Sequence, residues 1–419
     1  MLGARYERIA VNMAMDHHAF RPTNDVLCEA FRTNGSRMVR RLRGASIWFG
    51  FIAEAGHSPS YAANSGNPGD FEIVAIADIS AARRAAARRV YPSARVYDNW
   101  ERLLNKEASN LDFVDITTPP YAHSEIAHAA LNHRLHVLCE KPLAASLEQA
   151  QSMVTHAANA RRVLFPCHNY RHAPVVKAVR SLLAQDLIGP VQLVTLQTFR
   201  PTHARGVAEW RPDWRRESKY SAGGIAMDHG SHTFYLAFEW MRAFPTSVTA
   251  KTTTCGDYDT EDNFSCTLTF PTGIAVANLT WTAGMRKVHY SLHGAMGAIT
   301  VEDDEVRVIA NPNIQSLDSV ARDRIGSIIP SDWMDASHKD WFGSLLEDLR
   351  GAIETQRWVN DDAIDAIMCM ATIHASYSSA HQEARELPIR KVSSLITPSE
   401  PERRHQRSGA TLHDFANNS

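Results

Sequence analysis

One lysine occupies a position in the sequence that suits a role in catalysis. Lys141 lies in the tripeptide Glu140-Lys141-Pro142, directly after an apolar run that ends at Cys139. If that run is a strand of a parallel sheet, the lysine lies at its carboxyl end, the edge at which such sheets bind ligands. A lysine beside a bound ligand changes its protonation readily and can transfer protons. The tripeptide alone leaves a second possibility open, a surface lysine that pairs with Glu140.

An aspartate and a histidine farther along the chain are one helical turn apart. Asp228 and His232 stand at positions i and i+4, so on a helix the aspartate can hold the imidazole in one tautomer. Gly223 and Gly224, just before them, allow the backbone to approach a ligand closely. A helix-capping role for Asp228 is equally compatible with the pattern. Because His229 and His232 have no further ligands at fixed spacing, we predict no metal site.

A third motif is typical of a nucleotide-binding turn. The dinucleotide fingerprint G-x-G-x-x-G/A corresponds to Trp48-Phe49-Gly50-Phe51-Ile52-Ala53, which keeps Gly50 and an acceptable Ala53 but has Trp48 as its first residue. The turn alone therefore fits a nucleotide site and an ordinary βα turn equally well. Asp78 ends the next apolar run, where a carboxylate accepts hydrogen bonds from ribose hydroxyls and repels a 2′-phosphate. We therefore predict NAD, rather than NADP, as the cofactor.

Alternating strand and helix patterns must position these motifs. From Ser46 to Cys167, short β-branched runs alternate with helical segments, which predicts a doubly wound parallel sheet covered on both faces. Between Thr246 and Val308 the runs alternate in polarity and are separated by Gly, Pro and Asp, which is typical of an antiparallel meander. The predicted class is therefore α/β.

Composition narrows the possible functions. The chain has 419 residues, 44% of them hydrophobic, which is enough for two domains with substantial cores. The 44 basic and 46 acidic residues give a net charge of −2, which argues against nucleic-acid binding by general electrostatics. No apolar run approaches the about 20 residues that span a bilayer. Six scattered cysteines without C-x-x-C spacing indicate reduced thiols, and we expect a cytoplasmic protein.

The order of these motifs resembles the Gfo/Idh/MocA oxidoreductase family, which includes glucose–fructose oxidoreductase and inositol dehydrogenase. The resemblance spans about residues 44–392 and rests on the Gly50 turn, Asp78, the Thr118-Pro119-Pro120 segment with His123, and the two motifs around Lys141 and His232. It implies an N-terminal Rossmann domain and a C-terminal α/β domain with a large, open, mostly antiparallel sheet. It also implies hydride transfer between NAD(P) and a hydroxyl carbon of a sugar, cyclitol or related polyol.

The resemblance assigns residues to roles. The implied catalytic residues are Lys141, Asp228 and His232. The implied cofactor contacts are Gly50, Phe51, Ile52, Asp78, Thr118, Pro119, His123, Glu140 and Lys141. The expected substrate contacts are Lys141, Asn169, Trp210, Arg211, Asp228 and His232. His232, oriented by Asp228, is the expected base and Lys141 the alkoxide-stabilising group, although the two roles are exchangeable. The loop that carries Trp210 and Arg211 can also be a packing loop.

The domain division and two alternative functions complete the expectations. We predict a poorly ordered extension (residues 1–40), a dinucleotide-binding domain (41–165), a substrate-binding and oligomerisation domain (166–395) and a disordered tail (396–419). The expected assembly is a homodimer or homotetramer. One alternative is a hydrolase or lyase that oxidises a glycoside transiently with bound NAD. The other is a non-catalytic dinucleotide-binding sensor, which has no need of Lys141, Asp228 and His232 together.

Overall fold

Two β-sheets form the framework of the molecule. The computed structural model describes residues 40–63, 71–310, 327–330 and 337–391. The predicted extension (residues 1–40) and tail (396–419) lie outside the described residues, except for Arg40. Within these ranges, no helix combines the length and apolar character that crossing a membrane requires.

The first sheet is six-stranded and parallel. Its strands are β1 (Leu42–Ile47), β2 (Phe71–Ala77), β3 (Arg95–Tyr97), β4 (Phe113–Ile116), β5 (His136–Cys139) and β6 (Leu164–Pro166). The helices that follow them are α1 (Ser58–Ala63, after a π-helical turn Ala53–His57), α2 (Ala81–Val90), α3 (Trp100–Glu107), α4 (His123–Asn132) and α5 (Leu147–Ala160). Strand β4 is buried at every position, as a strand covered on both faces must be.

The strand order of this sheet creates a binding crevice. The order is β3-β2-β1-β4-β5-β6, with every pair parallel. The chain therefore reverses its direction of winding between β1 and β4, and ligands of such sheets bind at the carboxyl ends of the strands at this point. The Gly50 turn follows β1, and Thr118 follows β4.

The second sheet has nine strands and is mostly antiparallel. Its strands are β7 (Val191–Phe199), β8 (Ser247–Thr253), β9 (Asn263–Phe270), β10 (Gly273–Thr280), β11 (Lys287–Gly294), β12 (Gly297–Glu302), β13 (Glu305–Ala310), β14 (Ser327–Ile328) and β15 (Leu387–Pro388). Their order is β14-β13-β12-β11-β7-β10-β9-β8-β15. Only the β7–β10 pair among these described strands is parallel.

Helices cover one face of the second sheet. The remaining helices are α6 (Pro174–Ala184), the short α7 (Ser218–Ser221), α8 (Ile225–Met241), α9 (Phe342–Glu354) and α10 (Asp361–His381). Helices α8 and α10 pack on the strands. In β9 the burial alternates, with Phe264, Cys266, Leu268 and Phe270 buried, because successive side chains of a strand point to opposite faces.

Helix α9 belongs by sequence to the second half of the chain but packs on the first sheet. Phe342, Leu345 and Leu349 are buried in the same apolar cluster as Phe49 and Phe113. The helix therefore covers a face of the Rossmann sheet. The two halves of the chain share this core, although the predicted boundary near residue 165 stays a prediction.

The predicted fold class is confirmed, while several boundaries differ. The pattern of strands and helices was expected to begin at Ser46, whereas the first strand begins at Leu42. It ends at Ile47 because the next residue, Trp48, has a φ of 78°, which is incompatible with extended structure. The sequence patterns did not predict the short strands β3, β14 and β15, or β13.

Candidate active site

A cavity of about 370 Å³ lies at the carboxyl edge of the parallel sheet. The first half of the chain contributes the Gly50 turn, Thr118, and Lys141 after β5. The second half contributes the loop after β7 and the start of α8. The cavity thus brings together motifs that are almost 200 residues apart in the sequence. A pocket of this size with a few convergent polar groups is a default binding site.

Lys141 and Asp228 meet across this cavity. The ammonium Nζ donates to Asp228 Oδ1 at 3.2 Å and to the Asp228 carbonyl at 2.8 Å. Arg215 Nε donates to the same Oδ1 at 3.1 Å, so the Asp228 carboxylate forms ion pairs with two cations. Burial by itself raises the pKa of Asp228, but the charges of Lys141 and Arg215 outweigh it and hold the pKa well below its usual value. The aspartate is therefore ionised.

His232 is oriented by a tyrosine and not by Asp228. Its Nδ1 lies 2.7 Å from the hydroxyl of Tyr235, and the ring of Tyr170 stacks on the imidazole at 3.8 Å. The expectation that Asp228 fixes the tautomer is corrected, because Lys141 and Arg215 hold the carboxylate. Burial, aided by the charge of Lys141, lowers the pKa of His232 well below its usual value, so the imidazole is neutral.

The glycine pair serves the packing of helix α8. A Cβ on Gly223 would lie 2.2 Å from the Tyr377 hydroxyl, and one on Gly224 would lie 2.0 Å from the Glu261 carbonyl oxygen. The Glu261 carboxylate accepts hydrogen bonds from the amides of Gly224 and Ala226, which start the helix. Glu261 therefore supplies the capping interaction that was considered for Asp228, and the missing side chains of the glycines leave room for Tyr377 and for the Glu261 backbone.

The Gly50 turn fits a dinucleotide. Helical backbone begins at Phe51, and Gly50, Phe51 and Ile52 line the cavity. The start of a helix, where the first N–H groups have no partner within the helix, therefore lies at the cavity wall. Trp48 takes the positive φ that a glycine would adopt, and its indole packs edge-to-face on Trp210 at 4.7 Å. The first position of the fingerprint therefore keeps a positive φ although its glycine is absent.

Two predicted cofactor contacts lie behind the cavity wall. The Asp78 carboxylate accepts hydrogen bonds from the amides of Phe49 and Ser80, both at 2.7 Å, and is 3% exposed. His123 is buried, and its ring nitrogens lie 2.7 Å from the Thr118 carbonyl oxygen and 2.9 Å from that of Pro142. Neither residue lines the cavity. Both support the loops that do, and the ribose contact of Asp78 stays a prediction.

The other predicted residues divide between the cavity and its surroundings. Thr118, Pro119, Glu140, Asn169 and Trp210 line the cavity with Lys141, Asp228 and His232. Arg211 does not: its guanidinium pairs with Glu217 at 3.0 Å and lies over the ring of Tyr220.

A buried charged network below the cavity was missed by the sequence analysis. His57 Nδ1 lies 2.8 Å from Asp115 Oδ2, and His57 Nε2 lies 3.1 Å from Glu140 Oε1. Burial by itself lowers the pKa of His57, but the two carboxylates raise it to about 10. His57, Glu140 and Cys167 also have potential metal-binding atoms within 4.8 Å of one another. Because both imidazole nitrogens face carboxylates, an imidazolium ion pair accounts for the cluster.

Family models match both halves of the chain. The model described as "Oxidoreductase family, NAD-binding Rossmann fold" matches residues 47–168. The model for the GFO/IDH/MocA C-terminal domain matches residues 176–300. The chain belongs to the Gfo/Idh/MocA family. The predicted family, the oxidoreductase class and the NAD-binding Rossmann domain are confirmed.

Individual relatives of this Gfo/Idh/MocA protein include sugar-specific enzymes. D-xylose 1-dehydrogenase (NADP⁺) 2 of Haloferax volcanii is 26% identical over 343 residues, which cover 81% of this chain and 98% of the relative. The 1,5-anhydro-D-fructose reductase of Ensifer adhaerens is 30% identical over 54% of this chain and 67% of its own length. Among solved structures, levoglucosan dehydrogenase with NADH superimposes with a TM-score of 0.72 at 21% identity, over 84% of this chain and 100% of that chain.

The His57 network gives this Gfo/Idh/MocA protein a testable pH dependence. Because the pKa of His57 is higher in the folded state than the about 6.5 of the unfolded chain, its stabilisation is complete below pH 6.5 and is lost as the pH rises through about 10. Over that window the free energy of unfolding should fall by about 1.4 kcal/mol per pH unit from this group. Denaturant unfolding at pH 7, 8 and 9 measures the slope, and His57→Gln should flatten it.

A second measurement covers the case in which His57→Gln does not fold. In the intact protein, NMR of the labelled histidine rings should find His57 protonated at pH 8, with a hydrogen on each ring nitrogen. A neutral His57 at pH 7 would contradict the assignment.

Proposed function

We propose that this chain is an NAD(P)-dependent dehydrogenase or reductase that acts on a hydroxyl carbon of a sugar, cyclitol or related polyol. The observation that carries the proposal is the meeting of Lys141, Asp228 and His232 in one cavity that extends to the Gly50 turn. Two of the relatives support the substrate class, since they are named for xylose and anhydrofructose. When bound, the nicotinamide cofactor supplies the hydride acceptor or donor.

The hydrogen bonds around His232 suggest its role. The Tyr235 hydroxyl oxygen accepts a hydrogen bond from the Tyr170 amide at 3.2 Å, and its own proton then points to His232 Nδ1. Burial raises the pKa of Tyr235 well above its usual value, so the phenol keeps that proton. A neutral imidazole that accepts at Nδ1 carries its hydrogen on Nε2. We therefore assign His232 as a hydrogen-bond donor to the substrate oxygen.

Lys141 then remains as the group that moves the proton. In reduction its ammonium gives a proton to the oxygen that becomes a hydroxyl, and in oxidation the same nitrogen takes it back. Asp228 holds the ammonium in place from the other side of the cavity. This exchanges the roles first expected for Lys141 and His232. Both groups stabilise negative charge on the substrate oxygen in the transition state.

Turnover of sugars and polyols with NAD and NADP tests the proposal. Reduced cofactor, followed by its absorbance, should accumulate with at least one substrate of the class. Lys141→Ala should lower kcat about a hundredfold or more, because it removes the proton carrier while leaving the Gly50 turn intact. The exposed Lys251→Ala is the matched control, with activity near that of the unmodified protein.

Other outcomes of this assay would contradict the proposal. Full activity of both Lys141→Ala and His232→Ala would refute the site. Cofactor binding without turnover of any compound would favour the sensor. Product formation without accumulated NADH would favour the hydrolase or lyase that oxidises its substrate transiently.

Tyr235→Phe tests the tautomer of His232. Loss of the hydroxyl removes the donor to Nδ1, so the proton can move from Nε2 to Nδ1, and we expect kcat to fall about tenfold with a smaller change in KM. NMR of the labelled imidazole should show Nδ1 without a proton in the intact protein and a mixture in the variant. Tyr220→Phe is the control, since Tyr220 makes ring contacts near the cavity. A proton on Nδ1 in the intact protein would contradict the assignment.

We propose further that the chain forms a homodimer or homotetramer through the second sheet. On the face away from the helices, the three neighbouring strands β7, β10 and β9 carry only uncharged residues. These residues are Leu193, Thr195, Gln197, Phe199, Asn263, Ser265, Thr267, Thr269, Ile274, Val276, Asn278 and Thr280. A broad uncharged face of this kind suits a symmetric interface.

Light scattering should give two or four times the chain mass of 46.7 kDa at micromolar concentration. Val276→Arg, which places a charge at the centre of the face, should shift the mass toward one chain. Lys106→Arg, on the exposed surface of helix α3 and away from the second sheet, is the control. A monomer in the unmodified protein would overturn this proposal.

We also propose a reducing, cytoplasmic location, which fractionation of expressing cells tests. The five cysteines of the described residues are free, and four of them are buried. An oxidising compartment favours disulfides in place of free thiols.

A further inference from the structure

Arg215 is the second cation on the Asp228 carboxylate. Its Nε donates to Asp228 Oδ1 at 3.1 Å, and the same oxygen accepts a hydrogen bond from Lys141 at 3.2 Å. The three side chains are between 12% and 19% exposed, so dissolved salt screens their attraction only in part. Arg215 therefore helps to determine where the Asp228 carboxylate points.

A second orientation of that carboxylate lies within reach. Asp228 and His232 are four residues apart on helix α8, and side chains at this spacing can contact each other. A carboxylate turned toward the imidazole would no longer hold the Lys141 ammonium. Because Arg215 binds the oxygen that Lys141 also binds, its charge favours the orientation that holds the lysine.

Arg215 belongs to a loop that is closed by its own hydrogen bonds. In the β7–α7 loop (residues 200–217), the Gly206 amide donates to the Pro212 carbonyl at 2.7 Å. Arg215 Nη1 donates to the Ala204 carbonyl at 3.0 Å. A loop that is packed and bonded in this way behaves as a compact unit. The position of Arg215 therefore depends on where the whole loop lies.

The tip of the β7–α7 loop docks on the turn after β1. The ring of Trp210 packs edge-to-face on Trp48 at 4.7 Å, and Glu209 Oε1 lies 3.7 Å from Arg83 Nη1. Arg83 is itself fixed to this turn, because its Nε donates to the Phe49 carbonyl at 2.7 Å. One loop thus connects the predicted cofactor-binding turn with the carboxylate that holds the proton carrier.

We propose that Arg215 is a positioning residue for the reaction, and that docking of the loop tip on the turn after β1 sets its position. The inference rests on the proposed function, since it assigns a residue that acts through Asp228 on the Lys141 ammonium. Arg215 holds the carboxylate, the carboxylate holds the ammonium, and the ammonium meets the reacting oxygen of the substrate. Displacements of about 1 Å in such an arrangement slow the chemical step strongly.

Variants of Arg215 test the positioning role, with the best sugar or polyol of the turnover assay as substrate. Arg215→Gln should lower kcat about tenfold or more with little change in KM, because the placement of the ammonium matters most in the transition state. Fluorescence titration should find the NADH affinity nearly unchanged. Arg215→Lys should recover part of kcat, since it restores the charge without the planar guanidinium. Arg211→Gln is the control, because Arg211 lies on the same loop but pairs with Glu217 outside the cavity.

Trp210→Ala tests the docking of the loop tip. The loop should loosen, so hydrogen exchange of residues 203–216, followed by mass spectrometry without substrate, should become about tenfold faster. The kcat should also fall. Combining Trp210→Ala with Arg215→Gln should lower kcat no further than Arg215→Gln alone, because both changes act through the same carboxylate.

The outcomes separate this inference from the proposed function. An unchanged kcat in Arg215→Gln, or a loss confined to KM or to NADH affinity, would overturn the positioning role and leave the dehydrogenase proposal intact. If Arg215→Gln does not fold, Arg215→Lys carries the same test with a smaller expected loss of kcat. Additive losses in the double variant, or unchanged hydrogen exchange in Trp210→Ala, would overturn the role of loop docking. Absence of turnover by the unmodified protein with every compound, despite cofactor binding, would instead count against the proposed function.

Discussion

The ion pair between Lys141 and Asp228 is the interaction on which the site depends. It joins the end of a strand in the parallel sheet to the first turn of a helix that covers the other sheet. Burying either charge alone would cost free energy. The attraction between the two charges offsets this cost in a half-enclosed cavity. Arg215 adds a second cation to the same carboxylate. The geometry of the cavity therefore follows from how the two halves of the chain dock.

Residues below the cavity hold the Lys141–Asp228 ion pair in position. The His57 imidazolium holds Glu140, the residue before Lys141, while Glu261 fixes the start of the helix that carries Asp228. A positioned proton carrier needs such secondary contacts, since small displacements reduce catalysis. Tyr235 and Tyr170 hold the imidazole of His232 in position in a similar way.

The sequence predicted the fold and the central residues, because those depend on local patterns. The parallel sheet follows from β-branched runs between helices, and Lys141 follows from its place at the end of one run. The partners of these residues depend on packing that no spacing reveals. Tyr235 lies three residues after His232, within a helix of apolar and aromatic residues. The sequence alone does not distinguish it from the residues that only pack in the core. His57 becomes informative only when Asp115 and Glu140 are known to lie beside it. Asp228 and His232 share a helix face, as their spacing indicates. The Asp228 carboxylate nevertheless forms ion pairs with Lys141 and Arg215 in place of a hydrogen bond to the imidazole.

The packing of helix α9 on the parallel sheet affects how the chain folds during its synthesis. Phe49 and Phe113 belong to the parallel sheet, but their apolar cluster is completed by Phe342 and Leu345, which leave the ribosome more than 200 residues after Phe113. During synthesis that face of the sheet is exposed to water until α9 emerges. Domains that fold one after another during translation do not share a core in this way. This face of the parallel sheet is covered only after α9 has been synthesised, and a fragment that ends at the apparent domain boundary leaves a hydrophobic surface uncovered.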